Sequence, residues 1–163
     1  MNIQQTAVKE LIEDILSNIK KYNVGGIINY LGKNAIAKYS LANDYYLTTQ
    51  KTINQLKTKG IDIHNRANKC SKNEYTFEHA VPVNIILKEL LKTKTIEERN
   101  KILEFSNIIV ILSYDENKLL KEKKLNSKMP KDWKFFDNVF ARYDAVGIKI
   151  LDEKIKMFNA VKR

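Results

Sequence analysis

Two segments decide the fold of this chain: EYTFEHAVP at positions 74–82 and NIIVILSYDENKLL at positions 107–120. The first is rich in β-favouring residues and ends at an acid–histidine pair, Glu78 and His79. In the second, Asn107 opens a run of aliphatic, mostly β-branched residues, which is typical of a buried strand. The acidic residues that follow suit the first turn of a helix, where the helix dipole favours negative charge. The pattern predicts two strands followed by a helix.

The residues before these segments predict mainly helix. Apolar residues recur at three- and four-residue steps over positions 3–21, so we expect an amphipathic helix there. Gly25 and Gly26 break the pattern, and the spacing predicts two further helices within positions 27–57. Gly60 then ends the last helix, as glycine commonly does.

Between and after the two segments, the pattern changes several times. Residues 61–64 alternate apolar and polar side chains, which predicts a short strand paired antiparallel with residues 74–78. Pro82 stands where a helix commonly starts, and a second helix is predicted over 96–105. For the C-terminal part we expect irregular structure over 125–136, a short helix over 137–145, a strand over 148–151 and a helical tail from Asp152.

A chain of 163 residues is long enough to bury a core, and we expect one domain. The predicted fold class is α+β, mostly helical, with a small antiparallel β-hairpin core flanked by helices. We divide the domain, residues 1–163, into a helical N-terminal part (1–60), a core (61–124) that carries a helical insertion (82–106), and a C-terminal extension (125–163).

Composition points to a cytoplasmic protein with no membrane partner. No apolar run approaches the ~18 residues that span a bilayer, and the N-terminus lacks a basic region followed by a hydrophobic one. Cys70 is the single cysteine, so an intrachain disulfide cannot form and a structural zinc knuckle is not expected.

The net charge of +10, from 29 basic and 19 acidic residues, favours a polyanionic partner such as DNA or, second, RNA. Arg142 is equally consistent with a surface ion pair to Asp144 or Asp137. The residues expected to contact phosphates are Lys33, Lys38, Arg66, Lys69, Lys72, Lys128, Lys131 and Arg142.

The acid–histidine pair has the chemistry of a hydrolytic site. A histidine near its ordinary pKa of ~6.5 can take a proton from water at neutral pH. A carboxylate such as that of Glu78 is a hard oxygen ligand for Mg²⁺ or Mn²⁺. Adjacent side chains of a strand point to opposite faces, so Glu78 and His79 reach one site only where the strand ends or curls. The Ala80-Val81-Pro82 sequence supplies such an ending.

These residues resemble the HNH, or ββα-metal, endonucleases. In that family a strand ends in an acidic residue or His followed by the base His, an Asn opens the second strand, and a helix presents His or Asn to the metal. The resemblance implies that His79 is the general base and that Asn107 holds the loop that orients it. It also implies a divalent ion, Mg²⁺ or alternatively Mn²⁺, held by Glu78 and by either Asn117 or Glu116. Asn117 is the closer chemical match and Glu116 the closer positional one.

The expected function is therefore metal-dependent cleavage of DNA, of restriction or phage type; a symmetric target would require either a homodimer or two sequential nicks. One alternative is a nuclease toxin acting on DNA or RNA, which would need an immunity protein. Another is a non-enzymatic nucleic-acid-binding protein in which His79 and Asn107 are structural. In that reading Asn107 forms a cap or turn, Glu116 is an ordinary first-turn helix acid, and His64 is structural as well.

Overall fold

The computed structural model describes residues 3–22, 25–43, 45–60 and 75–156. Its elements confirm an α+β fold that is mostly helical. They follow the chain as α1 (Ile3–Tyr22), α2 (Gly25–Leu41), β1 (Tyr45–Thr48), α3 (Gln50–Thr58), β2 (Tyr75–His79), α4 (Val83–Leu90), α5 (Ile96–Ser106), β3 (Ile109–Ser113), α6 (Tyr114–Glu122), α7 (Ala141–Asp144) and β4 (Ile155–Lys156).

The described strands form one mixed sheet in the order β2-β3-β1-β4. β2 and β3 are antiparallel neighbours, with Phe77 opposite Ile111 and His79 opposite Ile109. β1 runs parallel to β3, and β4 pairs antiparallel with β1. The predicted strand over 61–64 lies outside the described residues. The two segments that decide the fold are thus paired directly, although α4 and α5 separate them in the chain.

Each face of the β2–β3 pair packs on a different cluster. Ala80, Val110 and Leu112 face Leu120 of α6 and Tyr143 of α7. The opposite face, with Ile109 and Ile111, packs on Tyr46 of β1 and Ile155 of β4. β3 is fully buried along its length, which is what its unbroken apolar run predicts.

The helices α4 and α5 belong to a helical layer that has a hydrophobic core of its own. Its core unites Ile12 of α1, Ile36 of α2, Leu87 of α4 and Leu103 of α5. Gly32 permits this packing, because a Cβ there would lie 3.0 Å from a methyl group of Leu87. Each fully buried aliphatic side chain contributes roughly 1.5–3 kcal/mol through removal from water. The insertion between the strands is therefore stabilised by contacts of its own.

Most of the predicted helices are confirmed, and three local predictions are wrong. The tail predicted to be helical from Asp152 contains β4 in its described part and no helix there. Residues 45–48 were predicted as helix but form β1, because this β-favouring tetrapeptide pairs on both sides in the sheet. The strand predicted over 148–151 is absent. Only the Leu151 amide there bonds to β1, at the Thr48 carbonyl, while β4 lies further along the chain.

Within the described residues, no helix is both long enough and apolar enough to cross a bilayer.

Candidate active site

His79 is the last residue of β2, and its imidazole ring lies in an unusual environment. Its Nε2 atom is buried and has no hydrogen-bond partner among the described residues. Burial, and then the positive charge of Arg142, lowers the pKa of His79 to about 4. The ring is therefore neutral at pH 7 and has a nitrogen without a partner, although a pKa this far below 7 makes it a weaker base than an ordinary histidine.

Glu78 is bound by a buried arginine. Its Oε2 atom lies 3.0 Å from Nη2 of Arg142, and the two side chains are 18% and 0% exposed. The same Nη2 donates to the carbonyl of His79 and, at 3.0 Å, to the hydroxyl of Tyr143. Burial raises the pKa of Tyr143 to about 12, so this hydroxyl stays protonated. The carboxylate of Glu78 thus balances an internal charge.

Arg142 also joins β2 to the segment after α6. Its Nε donates to the Ala80 carbonyl at 3.1 Å, and Nη1 donates to the carbonyls of Leu125 and Asn126 at 3.0 and 3.3 Å. The guanidinium is fully enclosed, with Cζ 4.8 Å from the centre of the Tyr143 ring. The predicted roles of Arg142 at a phosphate interface or in a surface ion pair with Asp144 or Asp137 are wrong, since every donor group is used internally.

The two residues considered for the helix ligand differ sharply. Glu116 is buried, and its Oε2 accepts from the hydroxyls of Thr52 and Ser113 at 2.7 and 2.8 Å. It also accepts from the Ser113 amide, which completes a capping box at the start of α6. Asn117 donates to the Thr76 hydroxyl at 3.0 Å, while its buried Oδ1 atom has no partner among the described residues. Of the two, Asn117 is the residue that bonds to β2, whereas Glu116 belongs to the cap of α6.

Asn107 makes its contacts elsewhere than the resemblance implies. It is the C-cap residue of α5, and its side-chain amide pairs reciprocally with that of Asn43 at 2.9 and 3.0 Å. Asn43 also donates to the Asn107 carbonyl at 2.7 Å and accepts from Gln5. Asn107 therefore anchors the start of β3 to the end of α2, and its side-chain hydrogen bonds within the described residues do not reach the loop after His79.

The strand register places the predicted residues on two faces. Phe77 packs with the cluster on the face of Ile109 and Ile111, and His79 follows it by two positions. Glu78 lies on the other face, where Asn117 bonds to β2. Pairing continues to Ala80, whose amide donates to the Ile108 carbonyl at 2.8 Å, so the strand does not curl at the acid–histidine pair.

A divalent ion does not find a ready set of ligands in the part of the chain described. No group of three or more His, Cys, Asp or Glu side chains there could hold a metal. Oxygen atoms of Glu78 and Glu116 are committed to Arg142 and to the helix cap, and His79 lies across the strand. The described residues therefore do not by themselves complete the predicted Mg²⁺ or Mn²⁺ centre.

Four of the predicted phosphate-contacting lysines are exposed: Lys33 and Lys38 on α2, and Lys128 and Lys131 after α6. Arg66, Lys69 and Lys72 lie outside the described residues, as does His64. The site residues that the sequence pattern missed are Thr76 and Tyr143, together with the internal role of Arg142. The dipeptide Arg142-Tyr143 offers no local signal, because its partners lie far away in the chain.

Comparison with protein-family models, with curated proteins and with solved structures finds no match to this chain.

Proposed function

We propose that this protein is a metal-dependent endonuclease that hydrolyses phosphodiester bonds in nucleic acid, and that DNA rather than RNA is its main substrate. The observation that carries the proposal is the neutral His79 ring, which ends a strand beside Glu78 and has a nitrogen without a partner. Buried polar atoms are seldom left unpaired in native proteins, and catalysis is one of the reasons when they are.

The arrangement of elements supports the proposal. β2 and β3 pair antiparallel, and α6 follows β3 directly and returns to β2 through the Asn117–Thr76 hydrogen bond. Apart from α4 and α5, which lie between the strands in the chain, this order is similar to the strand, strand, helix order of the family that the sequence resembles. The charge of +10 gives the chain the long-range attraction that a polyanionic substrate needs.

In this proposal the chain's own residues have separate tasks. His79 accepts the proton of the attacking water at its free ring nitrogen. Arg142 fixes the backbone at His79 and Ala80, which limits the positions that the ring can take. Because Nε2 is enclosed, water reaches it only when neighbouring side chains move; hydrogen bonds in catalytic sites often form fully only with substrate bound. Metal dependence enters the proposal through the family resemblance alone.

The test is incubation of the protein with supercoiled plasmid DNA, and in parallel with single-stranded RNA, in Mg²⁺, in Mn²⁺ or in excess EDTA. We expect plasmid nicking or linearisation with a divalent ion and none with EDTA. Cleavage that is unchanged in EDTA would refute metal dependence. Absence of cleavage of both nucleic acids under every condition would refute the nuclease proposal.

A non-enzymatic nucleic-acid-binding protein is the second candidate. It is favoured by the commitments of Glu78 to Arg142 and of Glu116 to the α6 cap, which give both acids structural roles. Salt-sensitive binding of the same plasmid without cleavage in either metal is the result that selects it.

A further inference from the structure

A cleft of about 250 Å³ lies between the α4–α5 turn, α5 and the loop residue Phe136. Its walls include Glu89, Lys92, Glu98 and Lys101. It shares no residue with the candidate active site. The cleft therefore needs an explanation separate from the chemistry at His79.

Phe136 enters this cleft in a strained conformation. Its φ is +78°, in the left-handed region that bulky L-residues rarely adopt. Its ring packs edge-on against Phe105 and Phe135, with centroids 5.3 and 5.2 Å away, yet the residue remains 57% exposed. Hydrophobic burial alone is a poor reason to hold an exposed ring in a disfavoured backbone. Such outliers cluster at ligand-binding and catalytic positions.

Of the four charged side chains that line the cleft, Lys101 is the one without a hydrogen-bond or ion-pair partner among the described residues. Glu89 pairs with Lys92 at 2.7 Å. Glu98 accepts from the amides of Lys94 and Thr95 at 2.7 and 3.2 Å, and these bonds lower its pKa. Lys101 is exposed and has no ion pair or hydrogen bond in the described part of the chain. The cleft thus combines an open aromatic ring with an unpaired ammonium group.

We propose that this cleft binds one nucleotide, with its base stacked on Phe136 and its phosphate at Lys101. Aromatic side chains stack with any base, and lysine ammonium groups neutralise backbone phosphates. The ligand is a unit of a single strand or a free nucleotide, since both carry the same base and phosphate. The inference shares with the proposed function only the class of ligand, and it requires no cleavage.

Binding of an end-labelled oligothymidylate, followed by fluorescence anisotropy, tests the inference in the full-length protein. Phe136→Gly removes the ring while glycine accepts the positive φ, so the backbone is retained. We expect it to weaken binding about tenfold, the order of one lost base–aromatic stack. Lys101→Gln should reduce the slope of log K against log[salt] by about 0.7, as for one phosphate on a single strand.

Matched controls come from α6. Tyr114 is as exposed as Phe136, at 57%, and Lys121 is an exposed lysine of the same kind as Lys101. Tyr114→Ala and Lys121→Gln should bind like the wild type. Wild-type affinity in Phe136→Gly and Lys101→Gln, equal losses in the controls, or no binding by the wild type would overturn the inference.

The source of the nucleotide is identified by competition. Trp133 is the only tryptophan and packs edge-on against Phe135, with ring centroids 5.6 Å apart, so its fluorescence reports on this aromatic group. If thymidine monophosphate displaces the oligomer and changes Trp133 fluorescence as the oligomer does, a free-nucleotide site is supported. If it does not displace the oligomer, although oligomer binding depends on Phe136, a strand site is supported. Weakened binding in Phe136→Gly without cleavage of plasmid or RNA under any metal condition refutes the proposed function alone. Cleavage with unaffected oligomer binding refutes this inference alone.

Discussion

Arg142 shows how one side chain sets the local structure around His79. Its guanidinium is fully buried and donates to the carbonyls of His79 and Ala80, to two carbonyls after α6 and to the Glu78 carboxylate. A buried charge is tolerated only where its donors are satisfied, and removal of one partner leaves the other charge unpaired. The end of β2, including the backbone of His79, is therefore stabilised chiefly through Arg142.

Arg142→Ala is expected to lower the free energy of unfolding by about 3–5 kcal/mol, the range for a broken buried pair. Urea unfolding followed by circular dichroism measures the change. Arg99→Ala is the matched control: its Nε lies 2.6 Å from Oε2 of Glu13, and this ion pair is less enclosed, with side chains 13% and 23% exposed. A loss in Arg142→Ala no larger than that in Arg99→Ala would contradict the assigned role.

The lowered pKa of His79 predicts acid-dependent stability. In the unfolded chain the ring has its ordinary pKa near 6.5, whereas in the folded protein the pKa is about 4. As pH falls, the unfolded state binds the proton first. The contribution of the neutral His79 ring to the free energy of unfolding is fully present above about pH 6.5. It is lost progressively as the pH falls to about 4, by an amount on the order of 3 kcal/mol.

Unfolding midpoints measured across this pH range for the wild type and for His79→Gln test that expectation. The wild type should lose stability between pH 6.5 and pH 4 more steeply than the variant. His64→Gln is the control, and we expect it to follow the wild-type curve. Parallel curves for the wild type and His79→Gln would show that the folded ring is not held neutral.

At the scale of elements, the carboxyl ends of the parallel strands β1 and β3 lead into two helices. Thr49 caps α3 and Ser113 caps α6, each by accepting a backbone amide hydrogen. Glu116 joins the two ends, since its Oε2 accepts from the hydroxyls of Thr52 and Ser113. The Glu116 carboxylate thus supplies negative charge where α3 and α6 begin, which is where the helix dipoles favour it.

Glu116→Ala should destabilise the fold by about 1–3 kcal/mol, because it leaves buried donors of Thr52 and Ser113 unsatisfied. Asp115→Ala, in the same helix turn but exposed, should change stability by no more than about 0.5 kcal/mol. Chemical denaturation of both variants makes the comparison. If Glu116→Ala instead abolished metal-dependent cleavage with unchanged stability, Glu116 would be a ligand and its capping role secondary.

Local pattern predicts helices and β3 well in this chain, and it fails where pairing partners decide. The apolar periodicity of α1 and the unbroken run of β3 record burial directly in the sequence. β1 was predicted as helix because Tyr45, Thr49 and Thr52 share helical spacing; only its place between β3 and β4 makes it a strand.

The candidate site likewise has a part that the sequence pattern predicts and a part that it does not. Glu78, His79 and Asn117 are identifiable from motif order, but their faces follow from the register of β2 on β3. The Arg142 and Glu116 networks span distant positions, so no local pattern reveals which acid pairs with which donor.

At the scale of the whole molecule, the chain places a helical layer, built from α1, α2, α4 and α5, beside a small mixed sheet. The exposed lysines come from both parts: Lys33 and Lys38 lie on α2, and Lys128 and Lys131 follow α6. We expect their combined charge, rather than any single contact, to determine the affinity for nucleic acid.

Binding to duplex DNA should therefore weaken with salt. If about six phosphates are neutralised, log K should fall against log[salt] with a slope of about −5. Anisotropy titrations of a labelled duplex at several salt concentrations give the slope. Replacement of Arg142 by Lys should leave it unchanged, since that guanidinium is enclosed, whereas replacement of Lys33 and Lys38 by Gln should make it shallower by about 2. A slope near zero would remove the electrostatic basis for a nucleic-acid partner.

The most direct test of the central claim is the single-turnover rate of plasmid cleavage in Mg²⁺ for the wild type, His79→Ala and His64→Ala. If His79 is the proton acceptor, His79→Ala should be slower by ~10²–10⁴-fold. His64→Ala, which removes the only other histidine, should retain the wild-type rate. Equal rates for the wild type and His79→Ala would contradict the assignment of His79 as the catalytic base.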